Sequence, residues 1–181
     1  MIGMLLALVV LAAAFLGIRQ YNKNASSATS TTEDTQETVL DVNSDDITSF
    51  SYVYEGETYA FEKKDETWYY VDDHSLNLNQ ERIKAMILKV APLKADQVIE
   101  NVTDMSQYGL ADPERTIQYE TADRSVIINV GNLNSMTSQY YIAFPSEMKV
   151  YVVATNVVTG FNYTLDDLVM TEYVNREGRL L

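Results

Sequence analysis

The 181 residues carry 26 acidic against 13 basic side chains, a formal charge of −13, and no cysteine. That length accommodates one domain of ordinary size whose core needs no staples, and the missing cysteine excludes thiol catalysis, thiolate metal sites and disulfides. A protein that grips a polyanion must neutralise phosphates with Lys and Arg, so an acidic excess without a basic stripe excludes nucleic acid as a partner and disfavours docking of the folded part on anionic headgroups.

Residues 1–18 hold no charge and are nearly all Leu, Val, Ala, Ile, Met or Phe, a run at the lower limit for spanning a bilayer as a helix. A cleavable signal peptide would offer Ala12-Ala13-Ala14 as its small-residue site, but no basic residues precede the run. The expectation is a single-pass transmembrane anchor. Arg19 and Lys23 follow it, and the positive-inside rule taken alone would keep the rest of the chain in the cytoplasm. Residues 22–38 contain no apolar side chain larger than alanine, too little to offset chain entropy by burial. Residues 19–39 are therefore expected to form a disordered Ser/Thr-rich stalk, and residues 40–181 a single domain.

Within that domain, 47–54 alternates Phe50, Tyr52 and Tyr54 on one face, Glu55-Gly56 supplies a turn, and 58–63 returns with Tyr59 and Phe61 in register. A second turn leads to a strand at 67–71 that carries Trp68, Tyr69 and Tyr70. The period then changes. Ile83, Met86, Ile87, Val90 and Leu93 follow helical spacing, with Asn77 and Gln80 as the expected capping pair and Pro92 as the stop. A short strand is expected at 97–102, then strands at 116–120, 125–130, 139–143 and 149–154, and helical material over 156–169. Strands followed by a helix, twice, predict an α+β fold of mostly antiparallel sheet built from two meander-plus-helix halves.

Between the halves lies Tyr108-Gly109-Leu110-Ala111-Asp112-Pro113. A helical turn ending at Tyr108 needs a left-handed residue as its cap, which Gly109 supplies; Leu110 then folds back as an apolar contact and Pro113 prevents continuation. The Tyr-Gly-Leu-x-x-Pro pattern resembles the signature of the bacterial family called domain of unknown function 4340. The order of the surrounding elements agrees: a strand pair, the Trp68 strand, the helix with Ile83, Ile87 and Leu93, the motif, then the strand ending at Val130-Gly131, the Tyr140-Tyr141 strand and the Val150-Tyr151 strand, over about residues 40–174. The resemblance implies a membrane-tethered extracytoplasmic domain, in some members encoded beside components of ABC-type transport systems. It brings no catalytic residue set. On this ground the domain is expected outside the cell membrane, with an envelope or transporter protein as partner.

Asp41, Asn43 and Asp45 begin like a calcium loop, yet Asp46 stands where the sharp turn needs glycine and Tyr52 where the bidentate glutamate belongs. The single histidine, His74, follows Asp72 and Asp73 but lacks the further histidines typical of catalytic zinc. Adjacent acids such as Glu33-Asp34 and Asp166-Asp167 are expected by chance in so acidic a chain. Neither a phosphate-binding glycine loop nor a nucleophile elbow is present. Trp68, Tyr70 and Tyr140 are the aromatic candidates for contact with a glycan or peptide, core packing being the preferred account of them. The expectation is a non-enzymatic interaction module without metal or cofactor, the alternatives being an envelope-glycan hydrolase or a ligand-binding sensor.

Overall fold

A computed structural model describes residues 36–170; the anchor expected at 1–18 and the stalk through residue 35 lie outside them. Among the described residues no helix is long and apolar enough to cross a membrane.

The chain forms strands β1 (Glu37–Leu40), β2 (Ile47–Tyr54), β3 (Glu57–Lys64) and β4 (Thr67–Tyr70), helix α1 (Gln80–Ile87), and strands β5 (Leu93–Ala95) and β6 (Gln97–Ile99). It continues with β7 (Arg115–Thr121), β8 (Ser125–Asn134), β9 (Gln139–Ala143) and β10 (Val150–Ala154), ending in the short helices α2 (Thr155–Thr159) and α3 (Leu165–Leu168). Eight strands build one sheet in the order β4-β3-β2-β7-β8-β9-β10-β6, with every neighbouring pair antiparallel. β1 and β5 form a separate two-stranded ribbon. The fold is α+β and rich in strand. Its two meanders join directly where β2 pairs with β7, so they share one continuous sheet.

Alternation decides which side chains reach the main core. Phe50 and Tyr52 of β2 lie beside Tyr59 and Phe61 of β3, Trp68 of β4, and Ile117 and Tyr119 of β7, all buried. Phe50 stacks on Phe61 at 4.8 Å and meets the edge of Trp68 at 5.2 Å. Ile83, Met86 and Ile87 of α1, with Phe161 and Leu168, cover this face. A smaller core of Val102, Leu110, Ala143 and Val150 occupies the opposite face.

Four local expectations are corrected. The N-cap of α1 is Asn79, whose side chain accepts from the Arg82 N–H, and not Asn77. The helix stops at Ile87; Val90 is buried in the following turn and Leu93 in β5, so both satisfy helical spacing without being helical. The helical material at 156–169 is two short helices separated at residues 160–164. Residues 37–39, polar enough to read as stalk, form β1 with Leu40, because β5 offers them a partner and Val39 and Leu40 pack against the core.

Candidate functional site

The sheet has two outer edges, and one is closed from within. The carboxamide of Gln80 lies alongside β4: its Oε1 accepts from the Trp68 N–H at 2.8 Å and its Nε2 donates to the Trp68 carbonyl at 3.0 Å. Asp73 then donates its N–H to the Tyr70 carbonyl. An unpaired edge is a template for another chain, and here a side chain and a turn occupy it. At the opposite end, β6 is three residues long.

A third edge lies inside the fold. β8 pairs with β7 from Ser125 onward, but with β9 only from Asn129, opposite Ala143. Continued in register, β9 would set Pro145 opposite Ile127, and proline has no N–H to give; the chain turns away instead at Phe144. The first four residues of β8 consequently keep one side unpaired among the described strands. β1 stands across the gap, with its register interrupted at Val39. Val39, Leu40, Ser125, Val126, Ile127, Phe144, Pro145 and Glu147 line the resulting groove, about 340 Å³ in volume. Its lining is apolar except for Ser125 and Glu147, and Ile127 is 37% exposed on it. The Tyr151 hydroxyl donates to Glu147 at 2.7 Å, and burial followed by Glu147 pushes this phenol well above its ordinary range.

The motif between the halves packs against β8 from outside. A 3-10 turn over Ser106–Tyr108 ends at Gly109, whose φ of +71° makes it the left-handed cap, and the Leu110 N–H returns to the Met105 carbonyl at 3.0 Å. Leu110 is buried in the smaller core, where Tyr108 meets Tyr141 edge-on at 5.0 Å. Contact with β8 is close: a Cβ on Gly131 would stand 2.2 Å from the Tyr108 carbonyl oxygen, and one on Gly109 2.4 Å from Asn132 Oδ1. Both glycines are there for approach, and Gly109 also for its φ. Pro113 lies half-buried just before β7.

A family model with the description Domain of unknown function (DUF4340) matches residues 68–178. The chain belongs to the DUF4340 family. No curated protein and no solved structure gave a match.

In this DUF4340 chain the remaining sequence candidates disperse. Trp68 is 3% exposed, with its ring in the main core and no face left for a partner. Tyr70 and Tyr140 are half-buried and pack against that core, and Tyr70 approaches Phe61 at 5.5 Å. Their spacing suited a contact face equally well; the direction of burial separates the two. His74 Nε2 lies 2.7 Å from Glu62 Oε1, which also receives Lys64 Nζ at 2.7 Å, while its ring lies beside Tyr69. Asn43 spends its side-chain oxygen on the Asp45 N–H, and Tyr52 is buried with its hydroxyl on the Tyr163 carbonyl, so the calcium-like spacing is not assembled around one point. Asp167 accepts from the backbone N–H and hydroxyl of Thr164 at 2.9 and 2.8 Å, leaving Asp166 exposed beside it.

The displaced carboxylates share a direction. Glu62 is held low first by Lys64, Asp73 by Ser75, Asp104 by Ser106 and Asp167 by Thr164. A general acid for glycoside hydrolysis requires the opposite displacement, produced by burial. The groove beside β8 was not legible in the sequence, since its walls come from three separated segments. Pro145, at the end of a strand-like run, was the one local indication.

Proposed function

We propose that this DUF4340 chain is a membrane-anchored, extracytoplasmic, non-enzymatic interaction module, accessory to an ABC-type transport or envelope system. One transmembrane helix at 1–18 tethers it, the polar region from 19 to the start of β1 sets the domain off from the bilayer, and the domain repeats a meander-plus-helix plan. The observation that carries this reading is the groove beside β8, where apolar side chains and an unpaired strand edge lie together. Such a combination suits recognition of another chain better than turnover of a small substrate. The downward displacement of the carboxylates weighs against the alternative of an envelope-glycan hydrolase, and a ligand-binding sensor would call for a closed apolar pocket.

The test is crosslinking of intact cells with a membrane-impermeant reagent, followed by purification of this protein and identification of what accompanies it. Reproducible capture of transport or envelope proteins is the expected result. Crosslinks that form only after the membrane is opened would place the domain in the cytoplasm, as Arg19 and Lys23 taken alone suggest, and overturn the proposal.

A further inference from the structure

We infer that the groove beside β8 takes a short extended segment of a partner protein by strand addition, and that the segment carries apolar side chains and a basic residue. The inference rests on the interaction-module reading and deepens it. Four residues of β8, Ser125 through Ile128, present one edge that β9 leaves at Ala143. At about 3.4 Å per residue this edge is roughly 14 Å long, and every second residue turns its N–H and carbonyl outward. An added strand satisfies those groups. Its side chains alternate, so one set would meet Val39, Leu40 and Phe144 while the other lies beside Ile127.

Charge at the rim selects the partner's chemistry. Glu147 lines the groove and Glu37 begins β1; both lie close enough to Tyr151 to oppose its ionisation. Among the described residues neither carboxylate forms an ion pair, because the neighbouring Lys149 is engaged with Glu100 at 3.0 Å. A lysine or arginine flanking the apolar positions of the partner would meet two carboxylates that hold no direct ion pair and share only the field of Lys149, whose contact is with Glu100. The polar stretch preceding β1 is a poor occupant by the same reasoning, since Glu33 and Asp34 would add negative charge to the rim and no large apolar residue is available.

The probe is a capped heptapeptide of alternating valine and threonine flanked by lysines, compared with the same peptide flanked by glutamates, added to the full chain in nanodiscs. Amide hydrogen exchange should slow within 125–128, and the lysine peptide should bind more tightly than the glutamate peptide. Ile127→Asp, at an exposed position, should abolish binding while leaving the unfolding midpoint near that of the parent. Glu147→Gln keeps an acceptor for Tyr151 and should weaken the lysine peptide about fivefold, the scale of an exposed charge pair. Absence of added protection at 125–128 overturns the inference. So does protection already present without peptide that is lost on removing residues 1–35 or 171–181, or protection that tracks self-association of the chain. If the intact-cell crosslinks persist undiminished in Ile127→Asp, strand addition at β8 is wrong and the interaction-module reading survives. If the parent chain captures nothing while the peptide binds, the reverse holds.

Discussion

Gly131→Ala isolates the contact between the Tyr-Gly-Leu motif and the sheet. The added methyl would lie 2.2 Å from the backbone oxygen of Tyr108 and 2.8 Å from Leu110 Cγ, where ordinary contact begins at about 3.4 Å. The carbonyl oxygen cannot rotate aside like a side chain, so more than an ångström must be absorbed by moving the 3-10 turn away from β8. Overpacking of this kind costs typically 1–3 kcal/mol, and a backbone neighbour argues for the upper end, about 3 kcal/mol. For a domain of this size that lowers the melting temperature by roughly 10 °C. Gly56→Ala is the control, since its Cβ meets nothing within 4 Å and only the φ of +81° is penalised, at about 1–2 kcal/mol. Urea unfolding followed by the fluorescence of Trp68, buried in the main core, measures both. Near-UV circular dichroism should also show loss of the Tyr108–Tyr141 contact in Gly131→Ala and its retention in Gly56→Ala. A Gly131→Ala variant no less stable than Gly56→Ala would refute the reasoning.

Gln80→Ala removes both hydrogen bonds to the backbone of Trp68 and should cost about 2 kcal/mol at about 1 kcal/mol each, read from the urea midpoint; sedimentation should show self-association through the opened β4 edge. Asp104→Asn and Asp167→Asn should flatten the acid limb of the stability curve. Each carboxylate is held below its ordinary 3.8 in the folded state, so its contribution is present above that value and disappears as pH falls through the lowered one. At the alkaline end the sign reverses. Burial pushes Tyr119 from 10.0 up to about 12, so its contribution is present below pH 10 and is lost as pH rises through about 12; a spectrophotometric titration should show a late-ionising tyrosine that Tyr119→Phe removes.

Hydrophobic alternation made β2 and β3 legible, because each strand buries one face and its aromatic residues recur at every second position. It also made Gly109 legible as a cap, since a helical turn followed by Gly-Leu has few other solutions. Periodicity failed where it answers a different question from the one the chain resolves. Val90 and Leu93 keep step with α1 and are buried, yet burial arises in a turn and in β5. Asn77 and Asn79 are equivalent as cap residues; the Asn79 N–H pairs with the Leu168 carbonyl at 2.7 Å, and a contact over that sequence distance leaves no local trace. Gln80 has the composition of a capping partner and serves to close an edge strand twelve residues earlier.

The groove shows why a site of this kind escapes a sequence-based reading. Apolar patterning reports which face of a strand is buried, whereas the open side of β8 is a property of register: Asn129 pairs with Ala143, and the four residues before it have no strand partner on that side among the described residues. Pro145 is consistent with an interrupted ladder, but the register decides that the interruption falls opposite Ile127. The closed β4 edge makes the open one informative. A fold that uses a glutamine carboxamide to saturate the backbone of Trp68 at one margin, and leaves four residues of β8 without a strand partner on one side among the described residues, treats these two edges differently. Edge protection is a response to indiscriminate pairing; an edge spared that protection, recessed in a groove that Glu147 lines, restricts pairing to a segment of matching width and charge.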